Sequence, residues 1–112
     1  GLPLAAQGRF WEGAAALLAG LPRPALLARA GLGFVYALVD AEPTRLATLA
    51  EALRALAGAL EGYAVFERLP TELKAGLDVW GPARDDLALM QALKARFDPQ
   101  GILNPGRFIG RL

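Results

Sequence analysis

The sequence predicts an α+β fold, and three segments carry that prediction. Pro43 to Leu60 sets Leu46, Leu49, Leu53, Leu56 and Leu60 at spacings of three and four, the stripe of a helix that buries one side. Gly33 to Val39 is apolar, with aromatic and β-branched residues at Phe34, Val35, Tyr36 and Val39, which suits a buried strand. Tyr63 to Leu69 (YAVFERL) alternates in the manner of a second strand.

Strand, helix, strand over 33–69 is half of a split β-α-β, ferredoxin-like arrangement, or a plain right-handed crossover. The ferredoxin-like form implies an antiparallel or mixed sheet covered by helices, followed by a C-terminal helix and an extended tail. The leucine stripe lasts too few heptads for a coiled coil, so a sheet is the expected partner of that helix. Pro43 suits its first turn, and Gly58 and Gly62 its end.

The remaining elements fall around this unit. Residues 1–8 (GLPLAAQG) have no period and read as a lead-in. Arg9 to Ala19 is a helix with Phe10, Ala14, Leu17 and Leu18 on one side, closed by Gly20 and Pro22. A shorter strand fits Leu26 to Ala30, and Gly31 and Gly33 mark a bend or a close backbone approach. Pro70 ends the strand at 63–69, and Thr71 caps a helical turn through Ala75. A turn-rich loop, Gly76 to Pro82, carries Trp80, which like Trp11 is expected to pack between elements or at a subunit contact. From Asp85-Asp86 a helix runs to Phe97, acids first and Lys94 and Arg96 last as the helix dipole prefers, with Leu87, Met90, Leu93 and Phe97 as its buried stripe.

With 112 residues, one domain is the expectation. The net charge of +1, from 12 basic and 11 acidic residues, supplies no basic field for a nucleic-acid backbone. Zero cysteines exclude disulfides, a thiolate nucleophile and Cys-ligated metal clusters; zero histidines remove the commonest general base and metal ligand. Charged residues break every apolar stretch before it is long enough to span a bilayer. A start at Gly1, with neither an initiating Met nor a signal sequence, is expected of a piece of something longer.

The terminal segment Phe97 to Leu112 (FDPQGILNPGRFIGRL) is the most informative. Asp98-Pro99 stops the helix, because the proline ring disfavours the α conformation in the residue before it. Asn104-Pro105-Gly106 has proline second and glycine third, the chemistry of a type II turn; such a turn either reverses the chain or lines a ligand. Arg107 and Arg111 can each hold a carboxylate or phosphate, or remain solvated.

Met90 to Arg107, MQALKARFDPQGILNPGR, resembles the closing signature of the FAD-linked oxidase C-terminal domain: a helix with Met and Lys, then Phe-Asp-Pro, a glycine, an aliphatic pair, and Asn-Pro-Gly before a basic residue. Ala28 to Gly33 (ARAGLG), Tyr63 to Pro70 (YAVFERLP) and the Asp-x-Trp-Gly loop at Asp78 to Gly81 are similar, more loosely, to the C-terminal part of the E subunit of glycolate oxidase. The resemblance implies the cap or substrate portion of a two-domain flavoprotein. FAD is then held mainly by a separate N-terminal domain, whose glycine-rich pyrophosphate loops have no counterpart here.

On that resemblance, Asn104, Pro105 and Gly106 return the chain toward the flavin, Asn104 supplying a polar contact near its ring. Arg29 and Arg68 are candidates for a substrate carboxylate and Tyr36 for the pocket wall, against sheet-edge salt bridges and a core aromatic as the plainer roles. The implied activity is oxidation of glycolate to glyoxylate by hydride transfer to flavin, with a D flavoprotein subunit and an iron–sulfur F subunit as partners. The absence of cysteine agrees with E and rules out F. Members of the D-lactate branch use histidines that this chain lacks, so either its activity differs or it is the subunit that does not perform that chemistry. The implied location is cytoplasmic, or membrane-attached through partner subunits. The alternative is a stand-alone ferredoxin-like ligand-binding or scaffolding module without catalysis.

Overall fold

The computed structural model describes residues 1–83 and 85–112. They form four α-helices and one hairpin: α1 (Gln7–Leu18), β1 (Ala25–Arg29), β2 (Phe34–Leu38), α2 (Pro43–Ala59), a single turn α3 (Thr71–Lys74) and α4 (Leu87–Phe97). The chain divides into two compact units, Gly1–Val79 and Trp80–Leu112. No described helix is long and apolar enough to cross a membrane.

In the first unit, α1 and α2 bury facing stripes. Phe10, Ala14 and Leu18 on α1 meet Leu49, Leu53 and Ala57 on α2, with Leu21 joining from the chain after α1. Leu17, expected on the buried side, is exposed instead. Pro43 opens α2. At the other end Gly62 N–H bonds the Ala57 carbonyl (2.8 Å) and Glu61 N–H bonds that of Gly58 (3.0 Å), a Schellman closure. The left-handed position of that closure is occupied by Glu61, at φ +57°, and not by glycine.

β1 and β2 pair antiparallel with Leu27 opposite Tyr36 and Arg29 opposite Phe34. Residues directly opposite share a face, and faces alternate along each strand. Leu26 and Val35 therefore look toward the helices and pack on the core, whereas Leu27, Phe34, Tyr36 and Leu38 occupy the outer face. The strand over 33–39 is thus half-exposed, not buried, since helices cover one of its faces only. The bend before it requires glycine: Gly33 has φ +72°, and a Cβ there would collide with the Leu2 carbonyl oxygen.

The expected strand over 63–69 does not form, and a ferredoxin-like fold is not shown. The described sheet has two strands. The segment from Tyr63 instead makes isolated backbone bonds to Gly1 and to Val79. Arg54 of α2 fastens it: the guanidinium stacks 4.7 Å from the centre of the Phe66 ring and donates to the Asp78 carbonyl. Thr71 begins α3 without a side-chain cap bond.

The second unit is built differently. α4 places Lys94 and Arg96 in its last turn, yet no residue of the helix is buried. Leu93 and Phe97, expected inside, are 48% and 78% exposed. The unit's buried apolar side chain is Ile109, and Trp80 packs edge-on against Phe108 at 4.8 Å while its Nε1 donates to the Arg107 carbonyl (3.2 Å).

Candidate functional site

The tail after α4 is organised by one carboxylate. Asp98 is buried; its two oxygens accept the backbone N–H groups of Ile102 and Leu103 (3.0 Å each), and one of them pairs with Lys94 Nζ at 2.6 Å. Lys94 also donates to the Leu103 carbonyl. Lys94 foremost, with the two backbone N–H groups, holds the Asp98 carboxyl below the usual carboxylate range, against the opposing effect of burial. An i,i+4 pair on the helix thereby clamps the loop 99–103, with Gly101 (φ +65°) allowing the tight return.

The clamp sets up the turn that follows. Arg107 N–H bonds the Asn104 carbonyl (3.3 Å) and Gly106 has φ +72°, so 104–107 is the type II turn the residues prescribe. Asn104 itself is left-handed, at φ +46°. All three turn residues are exposed.

Beside the turn lies an open groove of about 520 Å³, lined by Met90, Lys94, Leu103, Asn104, Arg107 and Phe108, with Leu112 at its end. Its charges are unequal. Lys94 is engaged by Asp98, whereas the Arg107 guanidinium has no ion-pair or hydrogen-bond partner among the described residues. Arg107 is also pinned through its backbone at both the N–H and the C=O. One uncommitted cation over an apolar floor suits an anionic group carried on an apolar body.

Asn104 is therefore a groove residue, and Pro105 and Gly106 shape the turn at the groove's rim. Arg29 and Tyr36 lie together on the outer hairpin face, Arg29 exposed and Tyr36 half-buried, with the Tyr36 ring 6.5 Å from Phe34. Arg68 is exposed in a bend at 67–68, and no hydrogen bond or ring contact joins it to either. The salt bridges that would make Arg29 and Arg68 merely structural are absent among the described residues. Lys94 and Phe108 were not singled out as site residues by sequence; the four-residue interval from Lys94 to Asp98 was the available signal for the first. No group of ligating side chains able to hold a metal ion occurs among the described residues.

Residues 82–108 match the family model for FAD linked oxidases, C-terminal domain. The match is short and partial. It coincides with α4, the Asp98 clamp and the turn. No curated protein and no solved structure matches the chain.

Proposed function

We propose that the chain is the C-terminal, flavin-facing portion of an FAD-linked oxidase, most like that of the E subunit of glycolate oxidase. The observation that carries this reading is the exposed apolar surface of the matched segment. Leu89, Leu93 and Phe97 recur at intervals of four on α4, and Ile102, Leu103 and Phe108 extend the apolar surface of the tail; all six are exposed. A helix whose apolar ridge faces water is built to be covered.

The residues present fit FAD as one wall of its site. Asn104, Arg107 and the Asp98-paired Lys94 are the polar groups of the groove, Met90, Leu103 and Phe108 its apolar ones, and among the described residues no glycine-rich strand-to-helix loop is available to grip a pyrophosphate. The N-terminal domain of the same polypeptide would hold most of the cofactor, which supplies the hydride acceptor. The chain's own residues orient and exclude: Asn104 offers an amide toward the ring, Arg107 an anion partner, and the apolar ridge keeps water from the interface. Arg29 and Arg68 are proposed for the substrate carboxylate, with Tyr36 beside Arg29. Glycolate is the proposed substrate, and D flavoprotein and F iron–sulfur subunits are the proposed partners.

The test uses the full-length polypeptide purified with whatever subunits accompany it. Flavin content and glycolate turnover with an artificial electron acceptor are measured for the native protein and for Asn104→Ala. Bound FAD with glycolate oxidation, reduced in the variant, supports the reading. A full-length protein free of flavin removes it, and flavin with turnover of D-lactate alone removes glycolate.

A further inference from the structure

Residues 63–66 form no ladder, yet they keep two regularities of a strand. Exposure alternates along them, with Tyr63 and Val65 outward and Ala64 and Phe66 half-buried. Their backbone bonds alternate as well. Tyr63 bonds Gly1 twice, its N–H donating to the Gly1 carbonyl and its carbonyl accepting from the Gly1 terminal amino group, each at 2.9 Å, whereas Phe66 N–H donates to the Val79 carbonyl (2.9 Å).

In extended backbone, residues two apart present their N–H and C=O to the same edge. Val65 therefore opens on the edge that Gly1 occupies, and neither its N–H nor its C=O has a partner among the described residues. Reciprocal bonding of two residues is the hydrogen-bonded pair of an antiparallel ladder. Polypeptide continuing that register ahead of Gly1 would pass along Ala64, Val65 and Phe66, with the residue two positions before Gly1 facing Val65. Leu2 N–H, bonded to the Gly33 carbonyl at 2.8 Å, holds the junction from its other side. The register is set before the strand begins.

We infer that the segment immediately preceding Gly1 in the same polypeptide is a strand that pairs antiparallel with 63–66. The inference rests on the proposed existence of an N-terminal portion, and it goes beyond it in assigning where that portion joins. The exposed side chains of Tyr63 and Val65 call for apolar residues at alternate positions of the incoming strand. The strand preference of Tyr-Ala-Val-Phe, unrewarded among the described residues, is satisfied by this pairing.

Amide exchange at Val65 tests it, compared between the full-length polypeptide and the chain beginning at Gly1. The expected result is exchange slowed at least roughly tenfold in the longer protein, as a ladder bond confers. Val65→Pro, which removes that N–H, should speed exchange in the preceding segment, and Val65→Thr should leave it slow. An equally fast Val65 amide in both proteins overturns the inference, as does a natural polypeptide that starts at Gly1. Flavin content is read in the same sample: a protected Val65 without flavin sinks the oxidase reading alone, and flavin with an unprotected Val65 sinks the strand alone.

Discussion

The two units solve the same problem by opposite means. Gly1–Val79 closes α1, α2 and one hairpin face around a continuous apolar cluster. Trp80–Leu112 does the reverse: its buried charge, Asp98, organises a loop, while the leucines and phenylalanine of α4 face outward. The difference teaches where to look for interaction. Apolar side chains that a unit declines to bury with its own residues are available to a partner, and here they fall in the segment that matches the flavoenzyme family.

Core substitution breaks the comparison most directly. Leu18 is 2% exposed, so Leu18→Ala should cost about 3 kcal/mol, the usual loss for a well-packed leucine. Phe97→Ala should change the stability of this chain by less than about 0.5 kcal/mol. Denaturant midpoints measure both, and comparable losses would end the distinction between a closed and an open unit. In a longer polypeptide carrying the proposed flavin domain, where α4 would be covered, the same Phe97→Ala should become costly.

Asp98→Asn is next in size and confined to the second unit. Losing the carboxylate strands Lys94 and weakens the bonds to Ile102 and Leu103, so those two amides should exchange faster while the α1–α2 core is unaffected. The pH dependence has a definite sign. Because the folded carboxyl is held below its ordinary value, its contribution is complete above the ordinary value of 3.8 and is lost as pH falls through the depressed one. The loop 99–103 should loosen in acid before the core melts, and Asp98→Asn should abolish that acid step.

Arg54 sharpens the comparison from the other side, as a polar fastening within the apolar unit. Arg54→Met keeps the aliphatic packing but deletes the Phe66 stacking and the Asp78 bond, at an expected cost of about 1 kcal/mol. Near-ultraviolet or NMR signals of Phe66 should move, and those of Trp80 should not.

Local sequence pattern located the three longer helices because a 3.6-residue stripe is a local property, and the Pro-Gly turn at 105–106 was legible because its geometry depends on its own residues. The strand expected over 63–69 was misjudged for a reason of the same kind. Alternation at Tyr63 to Glu67 reports strand preference, and the structure keeps the alternation of exposure, but a strand also needs an edge to pair with, which no local pattern supplies. α4 failed in the opposite sense: its stripe is real, yet periodicity cannot say whether the covering surface lies in the same unit. Of the site, the turn could be read directly, whereas the groove arises from the loop clamped by Asp98, a fold-back visible only once Ile102 and Leu103 are seen donating to that carboxylate.

The smallest expected effect concerns Glu61, and it has the opposite sign. α2 ends in a closure that demands φ near +57°, and a side chain there pays a steric cost of about 1 kcal/mol that glycine escapes. Glycine in turn loses more freedom on folding, about 0.5–1 kcal/mol relative to alanine, so the two terms nearly offset. Glu61→Gly should therefore stabilise the first unit only slightly, by about 0.5 kcal/mol, read as a rise in denaturant midpoint without a change in its slope. Glu61→Ala keeps the strain without the charge and should not reproduce the gain. If the alanine variant gains as much as glycine, the benefit came from removing the carboxylate beside the carbonyl-rich helix end, an electrostatic effect of similar size, and backbone strain at the end of α2 is relieved by its neighbours.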